Sequence, residues 1–427
     1  MKTPLYQLVG RLRGKRAYQK SGRSRTRGCR FRAICRRLPS RPSPPADKMP
    51  ASINTIWAAV VVAVALNGCA ARPSSEVLIP VSAPATDVTS VVVLAATTRA
   101  RTNDSPFDFS ADRSAEIGYQ EYKISIPPSH VPGQIQWPSQ SPGNAQTDFV
   151  VDSSRPLAES GFMQAIQAQL ASRKDLHGSV LVFIHGYNTS HQEAVFRAAG
   201  FAADLRSAAG AMVAFSWPSR ATLTGYVADR ESVTYSRDYL ERVLNEIARI
   251  PGVRSINLVA HSLGCWLAAE TLRQAKLDDR SPFLKKLNQV VLLSPDIDVD
   301  VFRTQLDVIG KLSPPIIVVI SKNDRALATS QRVAGGVSRV GNLLVDDPRA
   351  QAAIERHGIV VVDLSQVNSN DFLGHSKFAY VLPELQDIAS SGGGNRPLGG
   401  AGVFVLNGAG QILSAPAVIG DALLAPR

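Results

Sequence analysis

Cysteine is scarce in this sequence, and its scarcity restricts the chemistry that the chain can support. Of the four cysteines, Cys29 and Cys35 lie near the N terminus and Cys69 ends an apolar segment. Only Cys265 remains in the rest of the chain, so that region holds neither a disulfide framework nor a zinc site built from cysteines. We expect Cys265 to pack in the core.

Metal-binding motifs are also missing. The sequence has no H-E-x-x-H motif and no cluster of Asp and His residues, the patterns that indicate a metal-dependent hydrolase. We therefore predict that the protein uses no metal and no other cofactor.

An excess of positive charge is present in only one short segment. The formal net charge is +12, but residues 1–48 alone contain 15 Lys or Arg and one acid, Asp47. The remainder of the chain is close to neutral, which argues against nucleic acid as a partner. Residues 1–48 are interpreted as a basic arm, which is an upstream extension if translation starts at Met49.

The sequence has no apolar run of the length that a transmembrane helix needs. Trp57–Leu66 is apolar over ten residues, which matches the hydrophobic region of a signal peptide. Leu66-Asn67-Gly68-Cys69 then resembles a bacterial lipobox, in which the cysteine thiol is lipidated and becomes the new N terminus. We predict a lipoprotein-type signal over residues 49–69 and lipidation at Cys69; an uncleaved anchor or a plain secretory signal are the alternatives.

The predicted lipid places the protein in the bacterial cell envelope, associated with a membrane through Cys69. No acidic residue follows Cys69 directly, which favours the outer membrane over the inner one. A secreted periplasmic protein is the alternative.

The rest of the chain divides into a linker, a folded domain and a tail. Residues 70–87 are rich in Pro, Ser and Ala and are predicted to form a linker. Residues 88–388 alternate apolar runs with helical patterns, which predicts an open, mostly parallel α/β sheet with helices on both faces. Residues 389–427 are rich in Gly and Ala and are predicted to be flexible, with a short hairpin near Val403–Leu413.

Within the predicted domain, β-branched apolar runs indicate strands and amphipathic stretches indicate helices. The first two strands lack a long connecting helix and are expected to be antiparallel. The predicted strands are Ser90–Ala96, Tyr119–Ile126, Val180–Ile184, Met212–Ser216, Ile256–Ala260, Val290–Leu293, Ile316–Ile320 and Ile359–Leu364, and the predicted helices are Glu193–Ala208, Asp238–Ile250, Leu263–Lys276, Asp298–Gly310 and Lys377–Ile388.

One serine is distinguished by the residues around it. Ser262 follows the apolar run Ile256–Ala260 and precedes a helical pattern, and Ala260 and Gly264 on its two sides are small. This is the strand–serine–helix pattern of a nucleophile elbow, a turn too tight for larger side chains at those two positions. The alternative is that Ser262 only caps the helix.

The other members of a catalytic triad must follow later strands of the sheet, because a serine hydroxyl needs a base and the base needs an orienting acid. His375 follows the last predicted strand and is the predicted base, with a capping or surface histidine as the alternative. Asp324 follows Ile316–Ile320 and is the predicted acid; Asp296 and Asp298, after the preceding strand, are the alternatives. The order serine, aspartate, histidine matches the order expected for this elbow.

An oxyanion is stabilised by two backbone N–H groups. One is predicted at Leu263, directly after the serine, and the other at Tyr187, in the loop after the third predicted strand. Gly186 allows the backbone of that loop to come close to the site. His185 and His261 are predicted to support the loop and the elbow.

These motifs together resemble the α/β-hydrolase superfamily and, more narrowly, an uncharacterised bacterial esterase/lipase-like family (domain of unknown function 900). The resemblance covers about residues 88–388 and implies an eight-stranded, mostly parallel sheet with Ser262 as nucleophile, Asp324 as acid and His375 as base. The matching segments are Ala96-Thr97-Thr98-Arg99, Phe183-Ile184-His185-Gly186-Tyr187-Asn188, Phe215-Ser216-Trp217-Pro218-Ser219, Ala260-His261-Ser262-Leu263-Gly264, Ser294-Pro295-Asp296-Ile297-Asp298 and Gly374-His375-Ser376.

The predicted function is hydrolysis of a carboxylic or lipid ester through an acyl-enzyme intermediate. A serine peptidase, amidase or thioesterase uses the same triad and is the alternative within enzymes, and a non-catalytic envelope lipoprotein that uses the fold for binding is the alternative of another class. Leu293 to Ile316 spans little more than one helix, so no large cap domain is expected there. The longer insertion Pro218–Arg237 is interpreted either as a small lid or as an extended surface loop leading into a helix.

Overall fold

A computed structural model describes residues 72–81, 88–102, 107–205, 210–368, 376–378, 402–406 and 412–414. The predicted basic arm at 1–48 and the predicted signal segment at 49–69 lie outside the described residues, and the proposed division of the chain stays a prediction. Among the helices that the structure describes, none combines the length and the apolar content needed to cross a bilayer.

An eleven-stranded sheet organises the described residues. Its strands are β1 (Thr89–Arg101), β2 (Phe109–Ile126), β3 (Val150–Leu157), β4 (Ser179–Ile184), β5 (Ala211–Ser216), β6 (Ser255–His261), β7 (Leu287–Leu293), β8 (Ile317–Ile320), β9 (Val360–Asp363), β10 (Gly402–Leu406) and β11 (Ile412–Ser414). Their order across the sheet is β11-β10-β9-β8-β7-β6-β4-β5-β1-β2-β3. In this order, all neighbouring strands from β10 across to β1 are parallel to each other.

All eight predicted strands are present, but the predicted strand count is too low by three. β3 was not predicted because Ser153, Ser154 and Arg155 give it no apolar run; it pairs antiparallel with β2, as β2 does with β1. β10 and β11 lie in the Gly-rich tail and form an antiparallel hairpin at the place where a short one was expected. This hairpin extends the sheet beyond β9.

Eight α-helices are described, and four of the five predicted ones are among them. The fifth, Lys377–Ile388, lies outside the described residues beyond Phe378. Three of the four that were not predicted bury at most two apolar side chains and bury polar ones beside them, which weakens the apolar stripe that identifies a helix. The fourth, Glu159–Ser172, buries Phe162, Ala165, Ile166 and Leu170 and was missed despite that spacing. The helices are α1 (Glu159–Ser172), α2 (His191–Asp204), α3 (Tyr226–Tyr235), α4 (Arg237–Arg249), α5 (Leu263–Asp278), α6 (Val299–Ile309), α7 (Arg325–Val333) and α8 (Pro348–His357).

The sheet separates two hydrophobic cores. In β4, Val180 and Val182 face the core beneath α4 and α5, whereas Leu181 and Phe183 face the core beneath α2. Burial on both faces explains why these strands are continuously apolar. Cys265 lies fully buried in the first core, as predicted, and burial raises the pKa of its thiol.

Residues 72–81, which belong to the predicted linker, lie against the folded body. Leu78 is fully buried in the second core, and the N–H of Val81 donates to the carbonyl oxygen of Val151 at 2.9 Å. The side-chain amide of Gln192 in α2 donates to the carbonyl oxygen of Pro73 at 2.8 Å. This part of the chain therefore packs on β3 and α2.

The chain changes direction across the sheet between β4 and β6. After β4 it continues to β5 on one side, and it then crosses over to β6 on the other side. Loops that leave the carboxyl ends of such a strand pair diverge, and ligands of open α/β sheets bind in the crevice between them. His185 follows β4 and Ser262 follows β6, so the predicted nucleophile lies at this crevice.

Candidate active site

Ser262 lies in a sharp turn between β6 and α5. Its backbone has φ 53° and ψ −122°, a conformation that costs a residue with a Cβ atom of the order of 1–3 kcal/mol. Neighbouring backbone holds it there: the N–H of Ser262 donates to Leu293 at 2.9 Å, and its carbonyl oxygen accepts from Asp296 at 3.2 Å and from Cys265 at 3.0 Å. The turn therefore has the strained geometry of a nucleophile elbow.

Helix capping does not account for the serine. Ser262 occupies the N-cap position of α5, but its side chain accepts no hydrogen bond from the first turn of that helix. The N-cap side chains of α2, α6 and α7, by contrast, all accept such a bond; they are Ser190, Asp298 and Asp324.

Small residues beside the serine allow α5 to approach the end of β4. A Cβ atom on Gly264 would lie 2.8 Å from the carbonyl oxygen of Ile184 and closer still to that of His185. Ala260, two residues before the serine, is fully buried and pairs with Ile184 in the neighbouring strand. The constraint on Gly264 therefore comes from the adjacent strand as well as from the turn itself.

The loop after β4 runs directly against the serine. A Cβ atom on Gly186 would lie 2.7 Å from Cβ of Ser262 and 3.0 Å from Nδ1 of His261. Among the described residues, neither the N–H of Tyr187 nor that of Leu263 donates a hydrogen bond to the protein. Both predicted oxyanion donors therefore belong to segments in contact with Ser262.

His185 and Trp217 fasten this loop to the end of β5. Their rings stack with centroids 4.8 Å apart, and Trp217 Nε1 donates to the carbonyl oxygen of His185 at 2.8 Å. The two ring nitrogens of His185 lie 2.8 and 3.0 Å from the carbonyl oxygens of Gly186 and Trp217. Burial outweighs these contacts and, with the charge of Arg99, lowers the pKa of His185 to about 3. The neutral ring therefore supports the loop and is unsuited to act as the base.

Asp229 of α3 joins the loops that follow β4 and β5. Its Oδ2 accepts from the Ser219 hydroxyl at 2.6 Å and from the N–H of Asn188 at 3.3 Å, and its Oδ1 accepts from the N–H of Arg220 at 2.6 Å. Burial raises the pKa of this carboxyl group. Asp229 lies within the insertion Pro218–Arg237 and was assigned no role from the sequence, because a contact between separate loops leaves no local pattern.

The insertion Pro218–Arg237 forms a short helix, α3, that covers Tyr187. The rings of Tyr187 and Tyr226 meet edge to face with centroids 5.3 Å apart. The hydroxyl oxygen of Tyr187 lies 3.1 and 2.5 Å from the carbonyl oxygens of Thr222 and Leu223, and its single hydrogen is shared between these two acceptors. We refer to this insertion as the lid, because it packs over the loop that carries the predicted oxyanion donor.

Arg99 is a buried residue that ties the same loops to β1. Its guanidinium donates to Ser216 Oγ at 3.0 Å, to the carbonyl oxygen of Ser219 at 3.1 Å and to that of Thr189 at 2.8 Å. Burial lowers the pKa of Arg99 to about 10, so the group stays cationic at neutral pH. The sequence singled out Arg99 only through the Ala96-Thr97-Thr98-Arg99 match.

The three candidate acids occupy different environments at the same edge of the sheet. Asp324, after β8, is buried and accepts from the N–H of Leu327 at 3.0 Å, which caps α7. Asp298 caps α6. Asp296 is buried beside the fully buried Arg339, with Oδ1 and Nε 3.2 Å apart in a charge contact that lacks hydrogen-bond geometry. Arg339 was not predicted, because it lies in a segment without a periodic pattern.

Two predicted functional residues, His375 and Cys69, lie outside the described residues. The residues directly after His375 are described, and they return to the elbow: the ring of Phe378 is buried with its centroid 4.9 Å from that of His261. Phe378 also stacks on Phe201 of α2 at 6.2 Å. The part of the chain that the structure describes contains no group of three or more His, Cys, Asp or Glu side chains placed to hold a metal ion.

Comparison with known proteins yields one family and several solved structures. A family model described as an alpha/beta hydrolase of unknown function (DUF900) matches residues 162–389, just over half of the chain. The comparison with curated proteins finds no match.

The solved structures that resemble the chain include enzymes from three organisms. An esterase of Pyrobaculum calidifontis has 13% identity and a TM-score of 0.30, with 55% of this chain and 93% of that one covered. Esterase B of Lactobacillus rhamnosis has 12% identity and a TM-score of 0.26, with 80% and 98% covered. Lipase B of Aspergillus fumigatus has 16% identity and a TM-score of 0.29, with 56% and 55% covered.

Proposed function

The chain belongs to the DUF900 family of α/β-hydrolases, and from this premise we propose that it is a serine hydrolase that cleaves carboxylic esters. The observation that carries the proposal is the backbone of Ser262, held at a positive φ between a buried strand and a helix, with Gly186 packed against it. Strain of this kind persists where the surrounding structure imposes it, and such residues concentrate at active sites.

The reaction proceeds in two halves around Ser262. His375 takes the proton from the Ser262 hydroxyl as its oxygen attacks the ester carbonyl carbon, and the carbonyl oxygen becomes an oxyanion. The N–H groups of Leu263 and Tyr187 donate to that oxyanion; one such donor lowers the barrier by about 3 kcal/mol. His375 then protonates the departing alkoxide, which leaves an acyl group on Ser262. Water attacks this acyl group by the same route and releases the acid.

Asp324 is the acid that best suits this mechanism. Asp296 faces the buried guanidinium of Arg339, which offsets its charge. Asp298 and Asp324 each cap a helix, but Asp298 is only half-buried. Asp324 is buried at the end of β8, two strands along the sheet from β6. It also follows the serine and precedes the histidine in the chain, the order expected for this elbow.

The chain around Phe378 supports His375 as the base. Three residues span at most about 11 Å, so the covalent chain keeps His375 within that distance of Phe378, whose ring contacts His261 beside the nucleophile. Two of the described histidines that follow or precede central strands are less suitable. His185 is neutral and locked against Trp217, and His357 ends α8 ahead of β9, at the opposite edge of the sheet.

The proposal includes a lipid anchor at Cys69 and a location in the bacterial envelope, with the outer membrane favoured. The sequence around Cys69 supports it, because Leu66-Asn67-Gly68-Cys69 resembles a lipobox and no acidic residue follows Cys69 directly.

Labelling with a fluorophosphonate probe tests the catalytic proposal. We expect the wild-type chain to be labelled and Ser262→Ala and His375→Ala to remain unlabelled. Ser321→Ala and His177→Asn are the matched controls, because Ser321 is a buried serine at the end of β8 and His177 is an exposed histidine away from that edge. Both controls should be labelled as the wild type is.

Two results would contradict the proposal: labelling that survives in Ser262→Ala, or a folded wild type that is not labelled. A panel of p-nitrophenyl esters and the matching anilides then tests the choice of leaving group. Faster turnover of the esters supports an esterase, whereas faster turnover of the anilides identifies an amidase or peptidase.

A further inference from the structure

The first described residue of the chain lies at the rim of the candidate site. Arg72 donates through Nη2 to the carbonyl oxygen of Asn188 at 2.7 Å, and through Nη1 to the carbonyl oxygen of Ala221 in the lid. Its Nε lies 3.1 Å from Oε1 of Glu193 in α2. One arginine therefore joins the N-terminal segment to the loop of Tyr187 and to the lid.

The lid also carries the two most exposed large apolar side chains of the described residues. Leu223 is 79% exposed and Val227 is 71% exposed. The carbonyl oxygen of Leu223 accepts from the hydroxyl of Tyr187, and Val227 follows Tyr226, whose ring packs on Tyr187. Both apolar side chains thus stand on the segment that covers the predicted oxyanion loop.

We propose that Leu223 and Val227 insert into the surface of the bilayer that holds the lipid anchor, and that the ester reaches Ser262 from that bilayer. This inference rests on the proposed anchor at Cys69 and on the proposed ester hydrolysis. It identifies the substrate class as membrane-borne acyl esters.

The bilayer is the favoured occupant of this surface because the predicted lipid attachment site, Cys69, lies close to Arg72 in the sequence. Cys69 precedes Arg72 by three residues in the sequence, and three residues span at most about 11 Å. The covalent chain therefore keeps the attachment point of the lipid within that distance of Arg72. Apolar side chains at such a rim enter the boundary between headgroups and acyl chains.

Tryptophan fluorescence tests the proposal without relying on catalysis. The lipidated full chain is reconstituted into phosphatidylethanolamine–phosphatidylglycerol vesicles whose acyl chains are either brominated or plain. We expect the emission added by Leu223→Trp or Val227→Trp to fall by about half in brominated vesicles, because interfacial side chains sit about 5–10 Å deep. Leu277→Trp is the matched control: it is 62% exposed, and it lies near the C-terminal end of α5, about 21 Å from Leu263.

A second pair of variants tests the role of Arg72. Arg72→Gln removes the charge that binds Glu193 and should reduce the quenching of Leu223→Trp. Arg155→Gln breaks a comparable exposed pair, Arg155–Glu121 at 2.8 Å, and should leave that quenching unchanged.

Each remaining outcome overturns a separate part of the argument. Equal quenching of Leu223→Trp and Leu277→Trp in a chain that floats with the vesicles overturns the bilayer contact. Emission from Leu223→Trp that changes with protein concentration instead identifies a second copy of the chain as the occupant. A chain that does not float overturns the anchor, and with it the inference. Fluorophosphonate labelling of the same samples tests the proposed hydrolysis independently. A chain that is quenched but not labelled contradicts the hydrolysis and leaves the bilayer contact supported.

Discussion

Replacing Gly186 by alanine should damage catalysis far more than binding. The added methyl would lie 2.7 Å from Cβ of Ser262, whereas carbon atoms in contact sit about 3.5–4.0 Å apart. The loop must therefore retreat by about 1 Å, and the N–H of Tyr187 retreats with it. Loss of one oxyanion donor lowers kcat by about 100- to 1000-fold, and overpacking costs about 1–3 kcal/mol of stability.

Steady-state hydrolysis of a soluble ester measures the first effect, and urea unfolding measures the second. We expect kcat to fall while KM changes little, because the donor acts on the transition state. Gly161→Ala in α1 is the matched control. A Cβ atom at that position would meet only the side chain of Leu157, at 3.7 Å, which is an ordinary van der Waals distance. An unchanged kcat in a folded Gly186→Ala would refute the assignment of the Tyr187 N–H to the oxyanion.

Four further predictions concern the triad acid, the buried ion pair, the strained serine and the buried histidines. Asp324→Asn keeps an N-cap for α7 and removes the charge, so kcat should fall by about 10⁴-fold with little loss of stability. Asp296→Asn leaves a buried guanidinium without its counter-charge and should instead lower the free energy of unfolding by about 3 kcal/mol, as urea unfolding would show, with labelling of the folded protein retained. Ser262→Gly should abolish labelling and raise the unfolding free energy by about 1 kcal/mol, because glycine adopts φ 53° without strain; a less stable variant would contradict the strain. Burial lowers the pKa of His185 to about 3 and that of His191 well below its usual value, so the unfolded chain takes up protons first as the pH falls below 6.5. His185 alone should therefore remove about 2 kcal/mol of stability between pH 7 and pH 5, with His191 acting in the same direction; equal unfolding free energies at the two pH values would show that these rings are not held neutral.

The features that the sequence predicts well are those with a local pattern. All eight predicted strands are present. Those buried on both faces, such as β4 and β8, are continuously apolar and are therefore the easiest to predict. The elbow is also local, since the small residues and the serine lie within five positions of one another. The predicted turn at Ser262 accordingly has the expected strained backbone.

The features that were missed depend on contacts between distant segments. Asp229 forms hydrogen bonds with residues 9 and 41 positions away in the sequence. Arg339, which contacts Asp296, lies in a segment whose apolar residues follow no helical or strand pattern. The lid helix α3 buries Asp229 and Ser232 beside its two apolar side chains, which weakens the apolar stripe that identifies a helix. Tertiary contacts, rather than local propensity, order these parts of the chain.

The sheet extends beyond the segment that matches the family model, because the hairpin of β10 and β11 comes after it in the chain. The family match ends at residue 389, yet the sheet continues through Gly402–Leu406 and on to Ile412–Ser414. A polypeptide truncated at 389 would leave the N–H and C=O groups of β9 unpaired along one side, a template for association with another chain. The Gly-rich extension thus covers the edge that β9 would otherwise expose.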